Sequence, residues 1–163
     1  MTQQLPLPQL KYGLTTYVSL ENFSVDKVAE AALIASPYTA QGAEKIQMQD
    51  LKEFWQSPRG KAIFQILKKQ PNNFIEDIQN IALQQGNAII IPANTILVNP
   101  VLLQKHCTAT VDADTLIIIA EKNSKASIVE SVTSTKECYL RTQRLHIILE
   151  ENAEFSYCNV QNL

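Results

Sequence analysis

The chain has 163 residues, of which 45% are hydrophobic and 18% charged, and its formal net charge is −2. That size supports one sizeable core or a small pair of domains. The even spread of charge, 8 basic and 8 acidic residues up to residue 86 and then 6 and 8, leaves no basic patch, so nucleic acid is not an expected partner.

Met1-Thr2-Gln3-Gln4-Leu5-Pro6 lacks the charged lead and apolar stretch of a secretory signal, so the expected location is cytoplasmic. Residues 1 to about 20 carry Pro6, Pro8 and Gly13 without a sustained period and read as an extended lead-in. From Ser24, the apolar positions Val25, Val28, Ala29, Ala32 and Leu33 recur at helical spacing until Ser36-Pro37, which predicts a short amphipathic helix. Asp50 and Glu53 form a capping pair ahead of Leu51, Phe54 and Trp55. Ser57, with Pro58 in the first turn, opens a second helix that carries Ile63, Ile66 and Leu67 and ends on Lys68-Lys69 before Pro71. Asn73 and Glu76 cap a third, with Phe74, Ile78, Ile81 and Ala82 as its stripe and Gly86 as its stop.

After Gly86 the pattern changes to short runs of Ile, Val, Leu and Thr: 88–91, 101–103, 108–111, 116–120, 126–132, 145–150 and 154–160. Leu116-Ile117-Ile118-Ile119 is continuously apolar and reads as a strand buried on both faces, whereas Lys125 to Glu130 is mixed. The longest apolar region, 88–103, is broken by Pro92, Asn94, Asn99 and Pro100. It falls short of the roughly 20 residues of a membrane helix, so no membrane span is expected. Asn94, Asn123 and Asn152 each follow an apolar run at a spacing of 29 residues. A strand, a polar corner turning on Asn and another strand, repeated at fixed period, is the pattern of a β-solenoid. The expected fold is α+β: an N-terminal helical region over 1–86, then the first coils of a right-handed parallel β-helix over 87–163.

The residues that could carry chemistry have plainer readings beside them. Cys107, Cys138 and Cys158 are an odd, irregularly spaced set, expected as free thiols packed as small hydrophobes. His106 and Cys107 are adjacent, so on a strand they face opposite sides and do not share one ion easily. Asp112 and Asp114 would have to face a groove to serve as the paired carboxylates of a carbohydrate-cleaving solenoid, and Val111–Thr115 reads more simply as a turn. Arg141 and Arg144 read as a solvated turn, and Phe54-Trp55 as core. No Gly-rich phosphate loop, G-x-S-x-G or H-E-x-x-H occurs. No catalytic, cofactor-binding or metal-binding residue is assigned.

Residues 87–162 resemble the SufB/SufD family of iron–sulfur cluster assembly proteins. The resemblance is carried by Ile91-Pro92-Ala93-Asn94, by Leu116-Ile117-Ile118-Ile119 with Lys125-Ala126-Ser127-Ile128-Val129-Glu130, by Leu145 through Glu154, and by Tyr157 with Val160-Gln161-Asn162. It is closer to SufD: about 86 residues precede the strands, and Ser131-Val132 stands where the SufB-like pattern has Gly-Cys. The resemblance implies a helical N-terminal region, a right-handed β-helix and a C-terminal helical domain. It implies a non-enzymatic scaffold subunit acting with a SufB-like subunit and the ABC-type ATPase SufC. The iron–sulfur cluster belongs to the full complex, with no cofactor bound by this chain alone. The family's ATPase contact and cluster-related residues lie beyond the positions matched here, so Cys107, Cys138 and Cys158 take no role from it. On this reading the chain is an N-terminal fragment, whose open β edge could also form a homodimer. A structural β-solenoid module without chemistry is the alternative.

Overall fold

A computed structural model describes residues 32–68, 70–135 and 138–162. Three strands come first: β1 (Leu33–Ile34), β2 (Tyr38–Gln41) and β3 (Gln47–Asp50). Helices α1 (Leu51–Phe54), α2 (Pro58–Leu67) and α3 (Phe74–Ile81) follow, the last running into a 3-10 turn over Ala82–Gln84. Six longer strands complete the chain: β4 (Gly86–Ile91), β5 (Val101–Cys107), β6 (Val111–Ala120), β7 (Lys125–Ser134), β8 (Leu140–Leu149) and β9 (Glu154–Asn162).

The last six strands alternate between two sheets. In one, β4, β6 and β8 run parallel, and in the other β5, β7 and β9 do. The 29-residue spacing becomes spatial register, with Ile89 beside Ile118 and Ile118 beside Ile147. β2 closes one sheet antiparallel to β5, and β3 closes the other antiparallel to β4. The space between the sheets is filled by Ile89, Ile91, Val101, Leu103, Leu116, Ile118 and Ile128, each a burial contributing about 1.5–3 kcal/mol.

The corners explain the repeat. Asn94, Asn123 and Asn152 have φ of 59°, 58° and 57°, a left-handed conformation that Asn tolerates because its short amide bonds locally. Their side chains stack, Asn123 donating to Asn94 at 3.1 Å and Asn152 to Asn123 at 3.2 Å. Replacing Asn123 by alanine removes both bonds and the amide that offsets the cost of a Cβ at positive φ, so a loss of about 1–2 kcal/mol is expected. Urea unfolding checks this: Asn123→Gly should lose less than Asn123→Ala, and equal losses contradict the backbone argument.

The helices cover the outer face of the β4–β6–β8 sheet. Phe54, Trp55, Phe64 and Leu67 pack on Ala88, Ile117 and Ile119, while Ile78 and Ala82 pack on Val111 and Ala113. With one face on the core and the other under helices, every residue of β6 is buried, which is why its sequence is continuously apolar over 116–119. The caps follow the side chains. Ser57 Oγ accepts from Gly60 N at 2.9 Å and Asn73 Oδ1 from Glu76 N at 3.0 Å, while the Glu76 carboxylate reaches back to Asn72 N at 2.8 Å. Arg59 of α2 binds Glu121 at 2.8 Å and Glu150 at 2.5 Å, tying the helix to two successive corners.

Several expectations change. The helix expected from Ser24 lies mostly outside the described residues, and its last apolar position, Leu33, forms β1 with Ile34 beside Val111 and Asp112. β4 pairs with β6 only from Thr115 onward, so the first part of that β6 edge needs another partner, and β1 supplies it. Residues 38–50, expected in a helical region, contribute β2 and β3. The turn expected at 111–115 is the first half of β6, and Arg141 and Arg144 lie within β8 rather than in a turn. Among the described residues no helix is long and apolar enough to cross a membrane.

Candidate functional site

The space between the sheets is divided along the strands. Near the Asn corners it is apolar, and toward the other end the inward positions become charged. Inward alternation along β5 reads Val101, Leu103, Lys105, Cys107, and along β7 it reads Ala126, Ile128, Glu130, Val132, all buried. β6 brings Asp112 and Asp114, and β8 sets Arg141 beside Asp112 and Gln143 beside Asp114.

The result is a buried ionic cluster. Lys105 Nζ lies 2.8 Å from Asp112 Oδ1 and 3.2 Å from Asp114 Oδ1. Arg141 lies 2.9 Å from Asp114 and 3.6 Å from Glu130. The side chains of Lys105, Asp112, Asp114 and Glu130 have no exposed surface, and that of Arg141 has 3%. Ser36 donates to Asp112 Oδ2 through its N–H at 2.9 Å and through its hydroxyl. Tyr38 Oη donates to Asp114 at 3.2 Å and to Glu130, and its ring lies 5.0 Å beneath the Lys105 ammonium. Gln143 at 2.9 Å, Asn159 at 2.5 Å and the Tyr157 hydroxyl complete the shell of Glu130.

These contacts fix the charge states. Burial pushes the Asp112 carboxyl up, but Lys105 and the two Ser36 bonds outweigh it and hold the group below its ordinary value. Glu130 is likewise raised by burial and lowered further by bonds from Tyr157, Tyr38, Gln143 and Asn159. Burial and the neighbouring Asp114 and Glu130 push Tyr38 well up. Burial, with Asp112 beside it, raises the Cys107 thiol to about 11, and Cys138 rises for the same reasons. At neutral pH Asp112 and Glu130 are ionised and Tyr38, Tyr157, Cys107 and Cys138 protonated, so neither thiol is a thiolate there.

A pH dependence follows. The depressed carboxylates contribute stability that is present above their unfolded values of about 4 and is lost as pH falls through the folded ones. Cys107 contributes fully below its ordinary 9.0 and loses that contribution as pH rises toward 11. The urea midpoint should therefore be flat between about pH 5 and 8 and fall on either side. A midpoint that declines within that interval contradicts the assignment.

The residues singled out by sequence are distributed as follows. Asp112 and Asp114 face the interior beside Arg141, but they are tied to cations and closed to substrate. Cys107 is buried at the edge of the cluster and Cys138 is half-buried, while Cys158 is exposed on β9 rather than packed. All three cysteines are free. His106 points outward, with Nδ1 2.8 Å from Thr133 Oγ1. Trp55 is core, its Nε1 donating to Leu83 O at 2.7 Å. Among the described residues no three His, Cys, Asp or Glu side chains converge as a metal site.

Sequence reasoning missed Ser36, Tyr38, Lys105, Glu130, Gln143, Tyr157 and Asn159. A signal was present for two of them, since Lys105 and Glu130 are charges on the apolar phase of alternating strands. Comparison with curated proteins and with solved structures finds no match. Residues 102–163, which run from β5 to β9 and include all the strands of the ionic cluster except β2, match the family described as SUF system FeS cluster assembly, SufBD core domain, and over that segment the chain is similar to those proteins.

Proposed function

We propose that this chain is a SufD-like, non-enzymatic scaffold subunit of iron–sulfur cluster assembly, acting in a complex with a SufB-like subunit and a SufC-like ATPase in the cytoplasm. The observation that carries the reading is the family match over 102–163, reinforced by parallel coils at a 29-residue repeat, which support a right-handed parallel β-helix. The cluster is cargo of the whole assembly, not a resident group of this chain. Ser131-Val132, in place of Gly-Cys, supports the SufD side. A scaffold role agrees with an interior whose charged groups are spent on one another. The last rung leaves Ile147 41% and Leu149 51% exposed although both point toward the core, which supports a further coil or a partner on that end. The test is size-exclusion chromatography of the full gene product mixed with SufB-like and SufC-like proteins from the same source. Co-elution as one complex supports the proposal, and separate elution at micromolar concentration overturns it.

A further inference from the structure

The outer face of β8 breaks the pattern of its neighbour. Under the helices β6 presents Val111, Ala113, Thr115, Ile117 and Ile119, whereas β8 sets Thr142, Arg144 and His146 beside Ala113, Thr115 and Ile117. Thr142 is absorbed by Gln79, whose amide donates to it at 2.9 Å. Arg144 and His146 instead line a cleft of about 560 Å³ between α2, α3 and β8, a volume in the range of small-molecule sites.

The guanidinium is held in place by neutral acceptors. Nη1 and Nη2 both donate to Asn80 Oδ1 at 3.2 Å, and Nη1 also donates to Leu67 O at 3.3 Å. Among the described residues no carboxylate lies within ion-pair distance of it. Burial, the larger influence, lowers its pKa, and the field of Glu76, which also lines the cleft, partly restores it. A half-buried, oriented cation that faces a cleft without a counter-ion is the complement of an anionic group, and the planar fork suits a carboxylate or phosphate.

Glu76 sets a limit on that ligand. Its Oε2 accepts from Asn72 N and Nδ2, so its charge is fixed beside the cleft and disfavours a ligand with several negative groups. We infer that the Arg144 cleft binds a small molecule through one carboxylate or phosphate group, with Arg144 as the anchor and Glu76 as the element that rejects more highly charged ligands.

The test is a 1H–15N titration of the full gene product with acetate, inorganic phosphate and citrate in separate arms at constant ionic strength. Saturable shifts at Asn80, Arg144 and His146 are expected with acetate or phosphate, the stronger of the two identifying the ligand chemistry, and weaker ones with citrate. Arg144→Gln should weaken binding about tenfold or more. Glu76→Gln, at a half-buried position, should tighten citrate binding about threefold. If Arg144→Gln fails to fold, the Glu76→Gln arm decides. Absence of saturable shifts in the cleft, shifts equal in Arg144→Gln and the parent, or citrate binding unchanged by Glu76→Gln each overturn the inference.

Discussion

Replacing Arg141 by alanine is expected to destabilise the protein by about 3–5 kcal/mol, the range for leaving a buried charge without its partner. Its side chain is only 3% exposed and lies against Asp112, Asp114 and Glu130. Removing it leaves three buried carboxylates with Lys105 as the remaining cation beside them among the described residues. Part of the loss should be recovered at low pH, where a carboxylate of the cluster can be protonated instead of remaining unpaired. The internal control is Lys122→Ala, which breaks an ion pair to Glu151 whose partners are 55% and 68% exposed and should lose less than about 1 kcal/mol. Urea unfolding of the three proteins at neutral pH makes the comparison. Equal effects of the two substitutions would mean that the interior charges are solvated, and the closed cluster would have to be abandoned.

The second large effect is expected at Gly86. Its φ is +123°, and a Cβ added there would lie 2.0 Å from Thr115 O, a backbone atom that cannot swing aside. Gly86 and Thr115 are the first pair of the β4–β6 ladder, so the clash acts where the helical segment feeds the first coil. Backbone strain of about 1–3 kcal/mol adds to a displacement of packed strands of about 1–3 kcal/mol. Gly86→Ala should therefore lower the thermal midpoint by roughly 10 °C, about 2–6 kcal/mol taken at about 2–4 °C per kcal/mol for a domain of this size. A midpoint within a few degrees of the parent contradicts the close approach of β4 to β6.

Much of the repeated strand pattern was legible because its determinants are local. Three asparagines at one spacing mark corners that need a left-handed residue, and β6 carries the unbroken apolar run that burial on both faces requires. Ser57-Pro58 and Asn73 mark helix starts because a cap is a contact within one turn. The charged interior was not legible in the same way. Asp112 and Asp114 have the composition of a turn, and only the register of β6 against β8, together with Lys105 from the opposite sheet, makes them core residues. Arg141 depends equally on partners about 30 residues away. β1 was read as the end of a helix because its two residues form a strand only where β6 offers an unpaired edge. Lys105 and Glu130 could have been noticed, since each interrupts an alternating apolar phase at a position where a solvent-facing charge would be out of step.

The measurement that tests the functional account most directly is affinity capture of the tagged, full-length gene product from a lysate of the source cells, followed by mass spectrometry. The account predicts that a SufB-like subunit and a SufC-like ABC-type ATPase are recovered together with it in near-constant proportion. Recovery of the protein with neither partner, under conditions in which both are detected in the lysate, contradicts the scaffold reading.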